Sequence, residues 1–316
     1  MKLSVSVLAV FLALFLVLPF VGIKPYHLSI ATEILIFSIL AMSLNLLAGY
    51  TGLTSLGHGA FFGVGAYAAA LTVNHISHEI GVILLISILA TGVFGVVIGW
   101  LALKLAGFYF LMVTFAFTQI IFCAADRWRW LTGGSDGMVV SQAQFFGKLI
   151  FNSPAMIYYT ALGVFLITWL TFRQIVNSPF GQALVGIREN PHRMCTIGYH
   201  VRRYKMAAFV LSTLFAGLAG ILYVQFNHFI SPVHVHWSLS GSLLIMVILG
   251  GAGTLNGPVL GTAMYLYFQN LISSFTEYWM FVIGALFIAL ITGARKGLLG
   301  LGSAAWERLV KGRSGP

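Results

Sequence analysis

Apolar runs long enough to cross a bilayer follow one another along this chain, each closed by a charge, a proline or a cluster of small polar residues. A hydrocarbon core takes about 20 apolar residues per helix. The runs at 3–23, 28–48, 54–73, 80–102, 107–125, 153–172, 207–227, 239–252, 257–275 and 278–293 supply about ten such segments. They are continuous rather than alternating, so they predict helices and exclude the strands of a membrane barrel. The expected fold is an all-α, polytopic membrane helical bundle forming one transmembrane domain over 1–316, half-helices included. It carries a cytoplasmic loop at 173–206 and a cytoplasmic tail at 294–316. The first run follows Lys2, is too long for a signal-peptide core and has no small-x-small cleavage site after it, so it is expected to be a retained span.

Two segments are unlike ordinary spans. The 54–73 run opens with Thr54, Ser55, Gly57, His58 and Gly59, and the 257–275 run follows Gly250, Gly251, Gly253 and Asn256 and itself opens with Gly257 and Pro258. Glycine costs a helix about 1 kcal/mol relative to alanine, so clustered glycine marks a break or a close helix contact. Transporters place interrupted helices at corresponding positions of two structural repeats. The two stretches lie in opposite halves of the chain, although their residues match poorly.

Composition agrees with the pattern and closes other readings. Hydrophobic residues make up 59% of the chain and charged ones 8%, against about 25% charged in soluble domains. The net charge of +10 is not a nucleic-acid surface, because six cations fall between Arg173 and Lys205 and five between Arg295 and Arg313. Basic loops beside apolar spans follow the positive-inside rule. With an even number of crossings, 13 of the 17 cations share the side of the loop and tail, and that side is the cytoplasm. If 54–73 is re-entrant, Lys2 and Lys24 exchange sides and the count is unchanged, so the bias leaves the N-terminus unassigned. Cys123 and Cys195 suggest no disulfide.

Charge inside the spans separates the transport classes. Ionisable groups at mid-membrane cost about 2.5–3.5 kcal/mol each and persist where they are used, yet Glu33 is the only Asp, Glu, Lys or Arg in the proposed spans. That weakens an ion-coupled carrier, although backbone carbonyls could still bind sodium. Energy is then expected from outside the bilayer, through the 173–206 loop. Asn190-Pro191 reads as an N-cap with proline at the first helical position, and Gly198 as a stop. These define a short helix near 191–197 after a helical stretch at 180–189. No G-x-x-x-x-G-K-[ST] motif occurs, so the chain holds no P-loop nucleotide. No metal cluster and no nucleophile–base set is evident, and the chain is not expected to be an enzyme or to bind a cofactor.

Four ordered stretches also resemble a known family. Gly52–Tyr67 (GLTSLGHGAFFGVGAY), Leu131–Met138 (LTGGSDGM), Gly186–Tyr223 (GIRENPHRMCTIGYHVRRYKMAAFVLSTLFAGLAGILY) and Met246–Thr262 (MVILGGAGTLNGPVLGT) resemble the permease subunits of branched-chain amino acid ABC importers. The resemblance implies a multi-pass subunit of the inner (plasma) membrane with a second related permease, two cytosolic ATPase subunits that use ATP, and a periplasmic substrate-binding protein. It implies hydrophobic amino acids as substrates, although related permeases carry urea, short amides or sugars. Pro191, Met194 and Cys195 depart from the usual loop pattern, which leaves docking in place and puts its individual contacts in question.

Within this frame Arg188, Glu189, Asn190 and Arg193 are expected to couple to the ATPases. Thr54, Ser55 and His58 are expected to line the substrate pathway at a half-helix N-terminus. For the glycines, packing is the simpler reading: Gly59 and Gly63 form G-x-x-x-G, and Gly253, Gly257 and Gly261 continue that spacing. Asp136 reads as turn chemistry between Gly134 and Gly137. Trp128 and Trp130, beside Arg127 and Arg129, read as an interfacial anchor. The alternatives to a driven permease are a stand-alone secondary carrier for a small zwitterion and, third, a channel.

Overall fold

The computed structural model describes residues 25–145, 148–149, 153–278 and 280–285. Ten helices carry the architecture: α1 (Pro25–Asn45, extended by a π-helical turn at Leu46–Thr51), α2 (His58–His75), α3 (Ile80–Ala102), α4 (Phe108–Arg127), α5 (Pro154–Asn177), α6 (Pro179–Glu189), α7 (Pro191–Thr196), α8 (Val201–Asn227), α9 (Trp237–Gly250) and α10 (Gly257–Ser273). The all-helical expectation holds, and the described strands are two-residue ladders only.

The count of ten spans is not met among the described residues. Five helices there are long and apolar enough to cross a membrane: α1 with its π-turn, α3, α4, α5 and α8. The expected span at 3–23, most of that at 278–293 and the tail at 294–316 lie outside the described residues. The two segments marked by glycine, α2 and α10, do not join the five, and neither does α9. At 1.5 Å per residue the 14 residues of α9 reach about 21 Å, short of a hydrocarbon core of about 30 Å.

Helix α1 is the axis of the bundle. It is apolar all round, and every residue from Leu35 to Asn45 is buried, as expected of a helix with no solvent or lipid face. Helices α5, α8, α9 and α10 pack around it. Helices α3 and α4 invert the soluble pattern. The buried stripe of α3 includes Ser87, Thr91, Gly95 and Gly99, while Leu85, Leu89, Val93, Phe94 and Trp100 face outward. Without a hydrophobic drive between helices, small residues form the contact and large ones face the lipid.

The expected 173–206 loop is nearly all helix, because both of its neighbours run into it. Helix α5 continues through Arg173 to Asn177, and α8 starts at Val201, so Arg202, Arg203 and Lys205 belong to its first turns. Arginine and lysine are good helix formers, and their stems can lie along the helix with their heads in water. Ser178 caps α6 by accepting from the Gly181 amide at 3.3 Å, a signal parallel to the Asn190 cap of α7.

At the opposite end the 133–145 segment closes over the tips of α2 and α8. Met138 and Val139 pair antiparallel with Ile230 and Phe229, Asn74 donates to the Val139 carbonyl at 2.9 Å, and the Ala143 amide donates to Gln225 at 3.0 Å. Asp136 ends a 3-10 turn between Gly134 and Gly137. Here α8 ends in His228, which holds a left-handed φ of 53°. Burial lowers the His228 pKa, and its Nδ1 is enclosed without a partner. The folded state therefore takes up a proton less readily than the unfolded chain. That penalty is absent above the ordinary histidine value of about 6.5 and grows as pH falls below it, until the folded form is protonated too. Asparagine also accepts a left-handed backbone. His228→Asn should narrow the gap in melting temperature between about pH 7.5 and about pH 5.5, read by thermal unfolding in detergent.

Candidate functional site

The chain breaks inside the bundle between α1 and α2, where a non-helical backbone needs partners because lipid offers none. Neighbouring helices supply them. Ser55 accepts from the Gly57 amide at 3.1 Å. On α4, Thr114 accepts from the Leu56 amide at 3.2 Å and Thr118 donates to the Leu56 carbonyl at 2.9 Å. On α9, Ser240 accepts from the Gly59 amide at 2.8 Å.

His58, the first residue of α2, is fully buried. Ser212, near the middle of α8, donates to the Ser43 carbonyl of α1 at 2.5 Å. Its oxygen is then free to receive the His58 Nε2 hydrogen, 2.8 Å away, which leaves Nδ1 as an acceptor, enclosed and unpartnered. One imidazole thereby joins α2, α8 and α1. Helix α2 thus begins beside the middle of α8, not at its end.

Helix α9 begins in the same region. Its N-terminal His236 carbonyl and Ser240 lie against Gly59, and Val235 fills the space over Gly63. Two helices that do not cross the bundle alone therefore start side by side within it. Of the three residues expected to line a pathway, Thr54 is exposed, whereas Ser55 and His58 are buried and hydrogen-bonded.

The second glycine series forms another break, between α9 and α10. Asn45, the last residue of α1, holds it: its side-chain oxygen accepts from the Gly253 amide at 2.9 Å and its nitrogen donates to the Thr254 carbonyl at 2.8 Å. A methyl group on Gly49 would meet both Asn45 and the Gly253 backbone, so glycine at both positions lets two backbones touch.

The elbow between α6 and α7 lies beside these breaks. Asn190 caps α7 by accepting from the Arg193 amide at 2.9 Å, and Met194 packs over Gly186. All four residues grouped by sequence, Arg188, Glu189, Asn190 and Arg193, are exposed, Arg188 less so than its neighbour, with 36% of its side chain accessible against 68% for Glu189. Arg188 donates to the Gly49 carbonyl at 2.5 Å and to Glu189 at 2.8 Å.

Sequence reasoning missed Asn45, Thr114, Thr118, Ser212 and Ser240. Each is an uncharged polar residue within a largely apolar run, and in such a run an amide or hydroxyl needs a partner. Their spacing offered a faint signal, since Thr114 and Thr118 lie one turn apart.

Helical breaks sealed by side chains inside a bundle of long apolar helices define a polytopic membrane protein. The chain belongs to the family of branched-chain amino acid transport system permease components, whose family model matches residues 26–291. It is 29% identical to the high-affinity branched-chain amino acid transport system permease protein LivM of Escherichia coli K12, over 85% of this chain and 69% of that protein. A probable branched-chain amino acid transport permease protein LivM of Methanocaldococcus jannaschii is 23% identical, over 79% of this chain and 82% of its own. The nucleoside ABC transporter permease protein NupC of Lactococcus lactis is 28% identical over 28% of this chain. No solved structure matches the chain.

Proposed function

We propose that this chain is a membrane-spanning subunit of an ATP-driven importer that moves branched-chain or other hydrophobic amino acids across the inner membrane. It works beside a second, related permease, over two cytosolic ATPases and under a periplasmic binding protein. The chain is not itself an enzyme; the ATPases use the ATP. What carries this reading is the capped α6–α7 elbow set against helix breaks inside the bundle, a junction where force from outside can reach the pathway. Its exposed residues Glu189, Asn190 and Arg193 dock the ATPases. Thr54 lines the pathway, and Ser55 and His58 hold the start of α2 that borders it.

Proteoliposomes containing the full complex test the reading. Radiolabelled leucine should accumulate with ATP at the ATPase face and not without it. Competition by valine, urea and a nucleoside sets the substrate class, and the similarity to a nucleoside permease gives the last a place in the panel. Accumulation by the purified chain alone, driven by a proton or sodium gradient, would replace this reading with a secondary carrier.

A further inference from the structure

We propose that Arg188 is a positioning residue that transmits movement of the elbow into the membrane breaks, and that it does not hold the ATPases. The inference rests on the docking role proposed above for the elbow.

Three of its five N–H donors are engaged within the chain. One guanidinium nitrogen donates to the Gly49 carbonyl at 2.5 Å, while Nε and the other terminal nitrogen donate to Glu189 at 3.3 and 2.8 Å. Gly49 belongs to the π-helical turn that ends α1. Carbonyls in the last turn of a helix lack intrahelical partners, and a cation suits that end of the helix dipole. π-helical turns are rare and cluster at functional sites.

Two glycines leave room for the arginine. A methyl group on Gly52 would lie 2.9 Å from Arg188 Cγ, and one on Gly253 would lie 3.0 Å from its terminal nitrogen. Gly253 is the residue whose amide Asn45 holds. The guanidinium therefore sits where the end of α1, the start of the 52–57 break and the α9–α10 break converge. Arg193, on the outer helix α7, is exposed and its side chain makes no hydrogen bond or ion pair among the described residues. Sequence placed both cations in one docking patch; both are exposed, and among the described residues Arg188 alone of the two is tied by its side chain to the membrane breaks.

If the ATPases move the elbow, the Arg188–Gly49 bond carries that movement to the π-turn, and Asn45 passes it to the Gly253 turn. Cutting the bond should spare docking and impair coupling. The test uses the full complex in liposomes, with Arg188→Ala and Arg193→Glu compared for ATPase co-purification and for solute imported per ATP hydrolysed. Arg188→Ala should keep ATPase association within about twofold of the parent and lower solute per ATP at least about fivefold, with Arg188→Lys between the two. Arg193→Glu should lower association at least about tenfold.

Equal loss of ATPase from Arg188→Ala and Arg193→Glu overturns the proposal, as does an unchanged solute-to-ATP ratio in Arg188→Ala. If Arg193→Glu keeps its ATPases, the docking reading falls first and takes this one with it. Should Arg188→Ala not assemble, hydrogen exchange in the unmodified complex decides. Segments 186–194 and 250–256 should change protection together on addition of a non-hydrolysable ATP analogue, and independent responses overturn the proposal.

Discussion

Gly220→Leu should abolish folded protein, with the chain recovered as aggregate and no monodisperse peak on size exclusion in detergent. Gly220 lies on α8 where α2 crosses it, and even a methyl group there would meet the Phe62 carbonyl and the Ala66 amide. Both obstacles are backbone, so no rotamer change relieves them. Overpacking of a core commonly costs about 1–3 kcal/mol, and more where backbones must part. The crossing has no slack elsewhere: a methyl group on Gly65 would lie 2.5 Å from Gly217, and one on Gly217 would lie 2.5 Å from Thr91 of α3. Three helices meet through glycine and threonine, so a leucine at Gly220 separates α2 from α8 and loosens α3. Gly163→Leu on α5 is the control, since a methyl group there would meet nothing within 4 Å among the described residues beyond its own helix backbone. It should fold, and a folded Gly220→Leu would refute the packing account.

This crossing also shows how far sequence reaches in a membrane bundle. The Gly59–Gly63 spacing indicated close packing, and Gly63 does lie against a neighbour, Val235. Which helix would approach was not written in the spacing. The same holds for the breaks. Glycine clusters before His58 and before Pro258 marked where the helices stop, because glycine is poor in helices wherever it falls. The elbow was legible for a related reason. Asn190, Pro191 and Gly198 act on their own local backbone, and their effect needs no tertiary partner.

Long-range partners were hidden by the same logic. Ser212, next to Thr213 in a largely apolar run, carries no mark of its partners until the fold lays Ser43 and His58 beside it. Arg188 and Arg193 look alike in sequence, and only the fold places Gly49 within reach of one of them. The ends of the 173–206 loop were drawn where charge began. Charge marks where a helix leaves lipid, not where it stops, and α5 and α8 continue past that point.

Asn45 gives the second large effect, because its two bonds join the end of α1 to a break more than 200 residues away. The side chain is 3% exposed. Asn45→Ala takes these partners from the half-buried Gly253 amide and from the carbonyl of Thr254, an exposed residue. Each lost hydrogen bond is worth about 0.5–1.5 kcal/mol net, so a combined loss of about 1–3 kcal/mol is a sizeable part of a typical stability. Asn45→Asp should be worse at neutral pH, though it is nearly isosteric. The carboxylate can still accept from Gly253, but it cannot donate to Thr254 and faces that carbonyl with a negative charge. Moreover, a charge out of water costs more than an unpaired amide. The expected order of melting temperatures in detergent is parent, then Ala, then Asp. Acidification should narrow the Ala–Asp gap by protonating the carboxyl, which restores a donor. If Asp equals the parent at neutral pH, the donor bond to Thr254 carries no weight, and the α9–α10 break is held by the bond from Gly253 and by packing.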